Sequence, residues 1–416
     1  MTSNHVRTER LSGVVSLVLA GGQGERLYPL TRDRAKPAVP FGGSFRLIDF
    51  TLSNCLNSGI RRIHILTQYK SDSLYRHIRL GWDVFNPSIG EYVEVNPPQL
   101  RLTSHWYLGT ADAIHQNIYT LDRERPEQVL VLSGDHIYRM DYAPLLRQHA
   151  QTKADLTIAA MPVPVRDAMG LGVVRVDEDM RALSFEEKPA NPKTMPQHPQ
   201  CALCSMGVYV FKTETLVRRV IEDSKRASSH DFGRDVIPAM IQAGDRVYAY
   251  SLDSAEGPIY WRDIGTLDAY WQANMDLLGE PALFELLDPD WPIRTYAPSG
   301  MPAKISVGPA SAPGPPAEVC NSLISSGSVI RGACVYNSII GRGVSIDQET
   351  RIHESVIMDR VRVGRGVVIR RAIVDKGNSI PDGFRIGVDL EEDAHHFSVS
   401  AGGVVVVPKE MPLVRS

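Results

Sequence analysis

Val15-Ser-Leu-Val-Leu-Ala-Gly-Gly-Gln-Gly-Glu-Arg-Leu-Tyr-Pro-Leu-Thr31 runs from an apolar, strand-like segment directly into a glycine-rich turn. Similar runs recur at Ile63-His-Ile-Leu-Thr67, Val129-Leu-Val-Leu-Ser133 and Leu156-Thr-Ile-Ala-Ala160, alternating with longer amphipathic stretches up to about Leu278. That alternation predicts strand-helix units around a mostly parallel sheet, an α/β fold. Open sheets of this kind bind ligands beyond the carboxyl ends of their strands, and Gly21, Gln68, Gly134 and Asp135 stand there.

The character changes after Trp291. Residues 296–318 are dense in Pro, Gly, Ala and Ser and read as a connector. Beyond it, aliphatic residues recur every six positions in sets of three: Leu323, Val329, Val335; Ile340, Ile346, Ile352; Ile357, Val363, Ile369; Val374, Ile380, Ile386. Each set starts 17 residues after the last, which predicts a triangular β-helix with one inward aliphatic per face, and Gly341, Gly364 and Gly366 at its corners. The expected division is a tail at 1–12, a catalytic domain at 13–295, the linker at 296–318 and the β-helix at 319–416.

A chain of 416 residues, 43% apolar and 22% charged, has length for two cores. Its formal charge of −3 offers no basic footprint for nucleic acid or an anionic membrane, so small molecules and other copies of the chain are the expected partners. Residues 1–12 are polar and no run approaches a membrane span, which predicts a cytoplasmic protein. Five scattered cysteines argue against a disulfide framework. Cys201 and Cys204 spell C-x-x-C, but in a strand residues three apart face opposite ways, so buried packing is expected.

In the glycine turn, backbone N–H groups can approach phosphate oxygens, and Arg26, Arg34 and Lys36 supply neutralising charge. The spelling excludes two commoner phosphate loops. Leu27 stands where a dinucleotide fingerprint needs a glycine, and there is no Gly-Lys-Ser/Thr ending. Asp135 emerges from an apolar run in Leu132-Ser-Gly-Asp-His-Ile-Tyr138 and suits Mg2+, with Asp263 of Tyr260-Trp-Arg-Asp-Ile-Gly-Thr266 as its natural mate. Each is equally readable as a turn or N-cap aspartate. Lys188, with Glu186 and Glu187 before it, is a point charge for a sugar phosphate or simply a solvated strand-end lysine.

In this order the segments resemble the bacterial glucose-1-phosphate adenylyltransferase family, also called ADP-glucose pyrophosphorylases, from about Leu17 to Val406. The motifs are Leu-Ala-Gly-Gly-x-Gly-x-Arg-Leu at 19–27, Arg-Ala-Lys-Pro-Ala at 34–38, Phe-Arg-Leu-Ile-Asp-Phe at 45–50, Leu-Ser-Asn-Cys at 52–55 and Gly-Thr-Ala-Asp-Ala at 109–113, then Gly-Asp-His-Ile-Tyr at 134–138, Glu-Lys-Pro at 187–189 and Tyr-Trp-Arg-Asp-Ile-Gly-Thr at 260–266. The resemblance implies a Rossmann-like nucleotidyltransferase domain followed by a left-handed parallel β-helix, and transfer of the adenylyl group of ATP to glucose 1-phosphate for glycogen or another α-glucan.

It also implies roles. Gly21, Gly22, Arg26 and Lys36 would hold the triphosphate, with Ala20 and Gly24 in the same loop. Asp135 and Asp263 would hold Mg2+. Tyr107, Gly109 and Thr110, with Gln99, would face the adenosine. Lys188 and Glu187 would grip glucose 1-phosphate, with Gly172, Ser205, Tyr209, Asp231 and Trp261 around the sugar. Arg26, Lys36, Asp135, Lys188 and Asp263 form the implied catalytic set. Regulation by anionic metabolites is implied, with Lys36 and Arg46 as an anion site and Gln68 and Trp106 at positions linked to activation in relatives; so is a homotetramer.

Asp33 stands where members activated by fructose 1,6-bisphosphate carry lysine, Leu100 replaces the second glutamine of a Gln-Gln-Arg, and Leu108 replaces a residue that is often polar. Two rival readings share these motifs. A transferase for another nucleotide would keep the glycine turn and aspartates, and a non-catalytic regulatory subunit would be expected to lose residues that this chain retains.

Overall fold

Alternating side chains of Val14–Ala20 fall into two separate cores. Val15 and Leu17 pack with Ile114, Val131 and Phe211 on one face, while Val14, Val18 and Ala20 pack with Ile48, Ile65 and Leu132 on the other. A strand buried on both faces belongs in the middle of a sheet flanked by helices. A computed structural model describes residues 11, 13–98, 106–195, 198–252, 259–298, 300–308, 311 and 314–413 and places this strand there.

Val14–Ala20 lies between two parallel neighbours, Arg62–Thr67 and Gln128–Ser133, and Tyr92–Asn96 extends the sheet in parallel beyond Arg62–Thr67. On the other side the nine-stranded sheet turns mostly antiparallel, with Val247–Ser251 parallel to Leu156–Pro164 at its margin. The strand Cys201–Lys212 runs against both Gln128–Ser133 and Leu156–Pro164, and the hairpin Gly172–Val176/Ala182–Glu187 joins it at the Cys204–Val173 pair. Within Cys201–Lys212, Cys204 is fully buried and burial pushes its thiol up to about 12, which leaves an inert packing residue as expected.

The second part of the chain is a three-faced coil. One face stacks Lys304–Ser306, Val329–Arg331, Ser345–Ile346, Arg362–Val363 and Ser379–Ile380; the other two repeat this in parallel pairing. Inward columns are Ile330, Ile346, Val363, Ile380 and Val335, Ile352, Ile369, Ile386, with Ile324, Ile340, Ile357, Val374 on the third face.

Three of the predicted sets are in register, and the first is shifted at two positions. Ile324 and Ile330, not Leu323 and Val329, stack under Ile340 and Ile346. The first turn is one residue shorter there, and Leu323 turns outward to the other domain. Residues 296–318 also contain more than a connector, since Lys304–Ser306 is the first rung of one face. Proline and glycine between rungs hid a strand of three residues. At the far end the helix Leu390–His396 and the strand Val405–Val407, paired with Ala372–Val374, cover the last coil.

The two parts share a core. Leu27, Leu30, Phe41, Leu47 and Trp271 pack against the outward column Ile339, Val356, Ile373 and Val406 of the coil. At its margin Arg34 donates to Asp375 at 3.0 Å, with both side chains buried. The coil is thus bolted to the segment between the glycine turn and Arg-Ala-Lys-Pro-Ala.

Candidate active site

Gly134 and Asp135 follow Gln128–Ser133 at its carboxyl end, and His136–Tyr138 then pairs antiparallel with Trp261–Asp263. In that ladder Asp263 lies opposite His136, so two aspartates 128 positions apart in the chain are delivered to one place. Lys36 meets both: its Nζ is 2.6 Å from Asp135 Oδ2 and 3.3 Å from Asp263 Oδ1. A single ammonium therefore spans the gap between the carboxylates.

The electrostatics follow from this geometry. Burial pushes the Asp135 carboxyl up, but the Lys36 ammonium, then the neighbouring His136, outweigh it and hold the group well below the usual carboxylate range. Ser133 Oγ donates to Asp135 Oδ1 at 2.6 Å. Burial works against the charge on Lys36, and Asp135 and Asp263 hold its pKa above the ordinary lysine value. Arg26 reaches the same place: a Cβ on Gly265 would lie 3.2 Å from Asp263 Oδ2 and 3.4 Å from Arg26 Nη2.

Beside this cluster opens a cavity of about 420 Å³ whose wall includes Gly21, Gly22, Tyr107, Gly109, Thr110 and Asp135. A larger one of about 870 Å³, between His115, Tyr119, Val217 and Ile221, contains none of the predicted residues. Gly22 has open space where a side chain would be, Gly21 abuts Gln68, and Gly24 takes a left-handed turn with φ +66°. Tyr107 is pinned by Asn117 Nδ2, which donates to its hydroxyl at 3.0 Å. Ala20 is buried in the strand and packs into the core rather than facing the cavity. Gln99 lies outside the described residues.

The residues predicted around a sugar phosphate gather next to it. Gly172 is paired with Glu187, and a Cβ on Gly172 would come 3.0 Å from Glu187 Oε2. Lys188 Nζ is 3.5 Å from Glu187 Oε1 and exposed. Burial, opposed by Lys188 and reinforced by Asp231, raises the Glu187 carboxyl. Ser205 Oγ donates to the Tyr209 hydroxyl at 3.2 Å, and burial, with Glu187 and Asp231 facing it, raises the tyrosine further. Trp261 packs its ring edge-on against His136 at 5.0 Å, and its Nε1 is buried without a partner among the described residues.

Two further placements differ from the sequence reading. Asp231 also lines the nucleotide-side cavity, where it accepts from Thr110 Oγ1 at 3.0 Å and caps the turn at Gly233 and Arg234. Lys36 and Arg46 do not form one anion site, because Lys36 is held by the two aspartates while Arg46 donates to Ala38 O and Ser73 Oγ. Gln68 lines the cavity beside Gly21, and Trp106 stacks on Tyr69 with centroids 5.1 Å apart.

Sequence reasoning missed His136, whose Nε2 lies 3.6 Å from Asp135 Oδ1 and 3.8 Å from Asp263 Oδ1. Its position next to Asp135 was the available signal, but only the strand pairing shows that it faces both acids.

A nucleotidyl transferase family model matches residues 15–280, and a GlmU-like, C-terminal hexapeptide model matches 301–407. The chain is 45% identical over 404 residues to glucose-1-phosphate adenylyltransferase 1 of Vibrio parahaemolyticus, covering 96% of this chain and 98% of the relative. It is 48% identical to the glucose-1-phosphate adenylyltransferase of Thiobacillus denitrificans, covering 97% and 92%. The chain belongs to the glucose-1-phosphate adenylyltransferase family. The corresponding enzyme of Hydrogenovibrio crunogenus is 47% identical, covering 97% and 96%. The three-faced parallel coil is then the left-handed hexapeptide β-helix of this family, and the domain carrying the site is a nucleotidyltransferase.

Proposed function

We propose that this enzyme transfers the adenylyl group of ATP to glucose 1-phosphate, giving ADP-glucose and pyrophosphate. One observation carries the reading: a single ammonium, Lys36, sits between two carboxylates from distant strands at the mouth of a glycine-lined cavity. Mg2+ binds one or two carboxylates and completes its shell with water and phosphate oxygens, so Asp135 and Asp263 are a sufficient protein set. The donor chemistry fits, because a lysine cation already occupies the place between them. When bound there, the metal would polarise the attacked phosphate and offset its charge.

The glycine turn cradles the triphosphate with backbone N–H groups, and Arg26 and Lys36 steady the departing pyrophosphate. Lys188 and Glu187 orient the sugar phosphate in line with the α-phosphorus. Its phosphate oxygen is already ionised at neutral pH, so no general base is required. Lys188→Ala should raise KM for glucose 1-phosphate by about 10- to 100-fold with a smaller change in kcat, read from steady-state kinetics. An unchanged KM would remove Lys188 from the site.

Regulation by an anionic metabolite belongs to the same reading. At the domain junction Arg34 pairs with the buried Asp375, Arg342 and Lys376 pair with the half-buried Asp359, and Arg46 stands close enough to act on Lys376. Burial and the neighbouring Arg46 bring the Lys376 ammonium down to about 8, and burial brings Arg46 down to about 10. An unbalanced cationic junction of this kind favours an anion. Family resemblance supports a homotetramer. No described helix is long and apolar enough to cross a membrane, and a cytoplasmic site of action fits the free cysteines.

The direct test is pyrophosphate release from glucose 1-phosphate with each nucleoside triphosphate in turn. Turnover with ATP well above that with UTP, dTTP or GTP supports adenylyl transfer; preference for another base overturns it.

A further inference from the structure

The last turn of the helix Thr213–Ser224 and the loop from it to Asp231 hold three polar side chains that the reaction does not use. His230 Nδ1 is 2.8 Å from Asp223 Oδ2, Ser228 Oγ donates to Asp223 Oδ1 at 2.9 Å, and the His230 amide donates to Ser228 Oγ at 3.2 Å. Asp223 is buried, and both His230 and Asp223 side chains are largely shielded from solvent. Serine and aspartate approach the same ring nitrogen. A nucleophilic relay needs them on opposite nitrogens, so this is not a hydrolytic triad.

The backbone of His230 is left-handed, with φ +54°, a conformation that costs free energy in any residue bearing a Cβ. Something must repay that cost, and the bonds to Asp223 and Ser228 do so. What the conformation achieves lies on the other side of the loop. The carbonyls of Ser229 and His230 press against Gly109, where a Cβ would lie 2.4 and 2.3 Å from their oxygens, and His230 O accepts from the Ala111 amide at 2.8 Å. Next along the chain Asp231 takes the Thr110 hydroxyl, and Thr110 Oγ1 takes the Phe232 amide at 2.9 Å. Gly233 then abuts Glu187, with a Cβ position 2.6 Å from Glu187 Oε2.

We infer that His230 is a positioning residue: latched by Asp223 and Ser228, it fixes one partition that is at once the Gly109–Thr110 wall of the nucleotide cavity and the backing of Glu187 in the hexose phosphate pocket. This rests on the pocket assignment made above. Released from the latch, the partition would loosen for both substrates together.

The test uses the full-length enzyme and measures KM for ATP, KM for glucose 1-phosphate, kcat and Tm for His230→Gly and His230→Asn, with Lys188→Ala as a control. Glycine accepts the left-handed backbone without strain but cannot form the latch. It should raise both KM values by about 5- to 10-fold while kcat and Tm stay near those of the wild type. Asparagine tolerates the same backbone and offers an amide donor toward Asp223, so it should recover most of the loss. Wild-type KM values in His230→Gly would overturn the inference, as would a fall in Tm with both KM values unchanged. If Lys188→Ala leaves the glucose 1-phosphate KM unchanged, the pocket assignment itself fails, whatever His230 does.

Discussion

Asp135→Asn should lower kcat by about 10³-fold, roughly 4 kcal/mol of transition-state stabilisation. The substitution is nearly isosteric, so the side chain can keep its bond from Ser133 and its fit at the end of the strand. What disappears is the charge. Asp135 is the carboxylate closest to Lys36, whose ammonium holds it ionised, and without it a divalent cation would rest on Asp263 alone. Pyrophosphate release at saturating substrates reads the effect. Turnover within a factor of a few of the wild type would show that the Asp135 charge takes no part.

Asp375→Ala should cost about 3–5 kcal/mol of stability, although it lies away from the reacting atoms. It leaves Arg34 buried against the β-helix with no opposing charge: its Nη2 loses the bond at 3.0 Å, and its Nη1 already lacks a partner among the described residues. The coil would also lose the acceptor for the Lys376 amide, which bonds Asp375 Oδ1 at 2.7 Å. Denaturant unfolding should show an earlier transition, and Arg34→Met combined with Asp375→Leu should recover much of the loss, because an apolar pair carries no desolvation cost. Equal stability of Asp375→Ala and wild type would mean that solvent reaches Arg34.

Why some of this was readable from residues and some was not comes down to range. The hexapeptide columns were legible because each rung repeats the same local requirement, an inward aliphatic at a fixed step, as at Ile340, Ile346 and Ile352. The shortened first turn was not, since Leu323 satisfies the same pattern while facing the other domain. The strand ends carrying Gly21 and Asp135 were legible as ends of apolar runs. The direction of Cys201–Lys212 was not, because periodicity says that a strand is buried and says nothing of which way it runs.

The same limit divides the site. Motif order pointed to Lys36, Asp135 and Asp263, but only the ladder between His136–Tyr138 and Trp261–Asp263 shows how they meet, and it alone brings His136 to both acids. The proposed pairing of Lys36 with Arg46 failed for a related reason: two basic residues ten positions apart were assumed to share a target, yet the three-residue turn Lys36–Ala38 and the capping contacts of Arg46 send them to different neighbours.

Divalent-ion binding, followed by the electron paramagnetic resonance of Mn2+ in the presence of ATP and the absence of sugar phosphate, tests the convergence of the two aspartates without relying on turnover. One nucleotide-dependent Mn2+ site is expected in the wild type, weakened by at least about 10-fold in both Asp135→Asn and Asp263→Asn. Wild-type Mn2+ affinity in either variant would contradict that convergence.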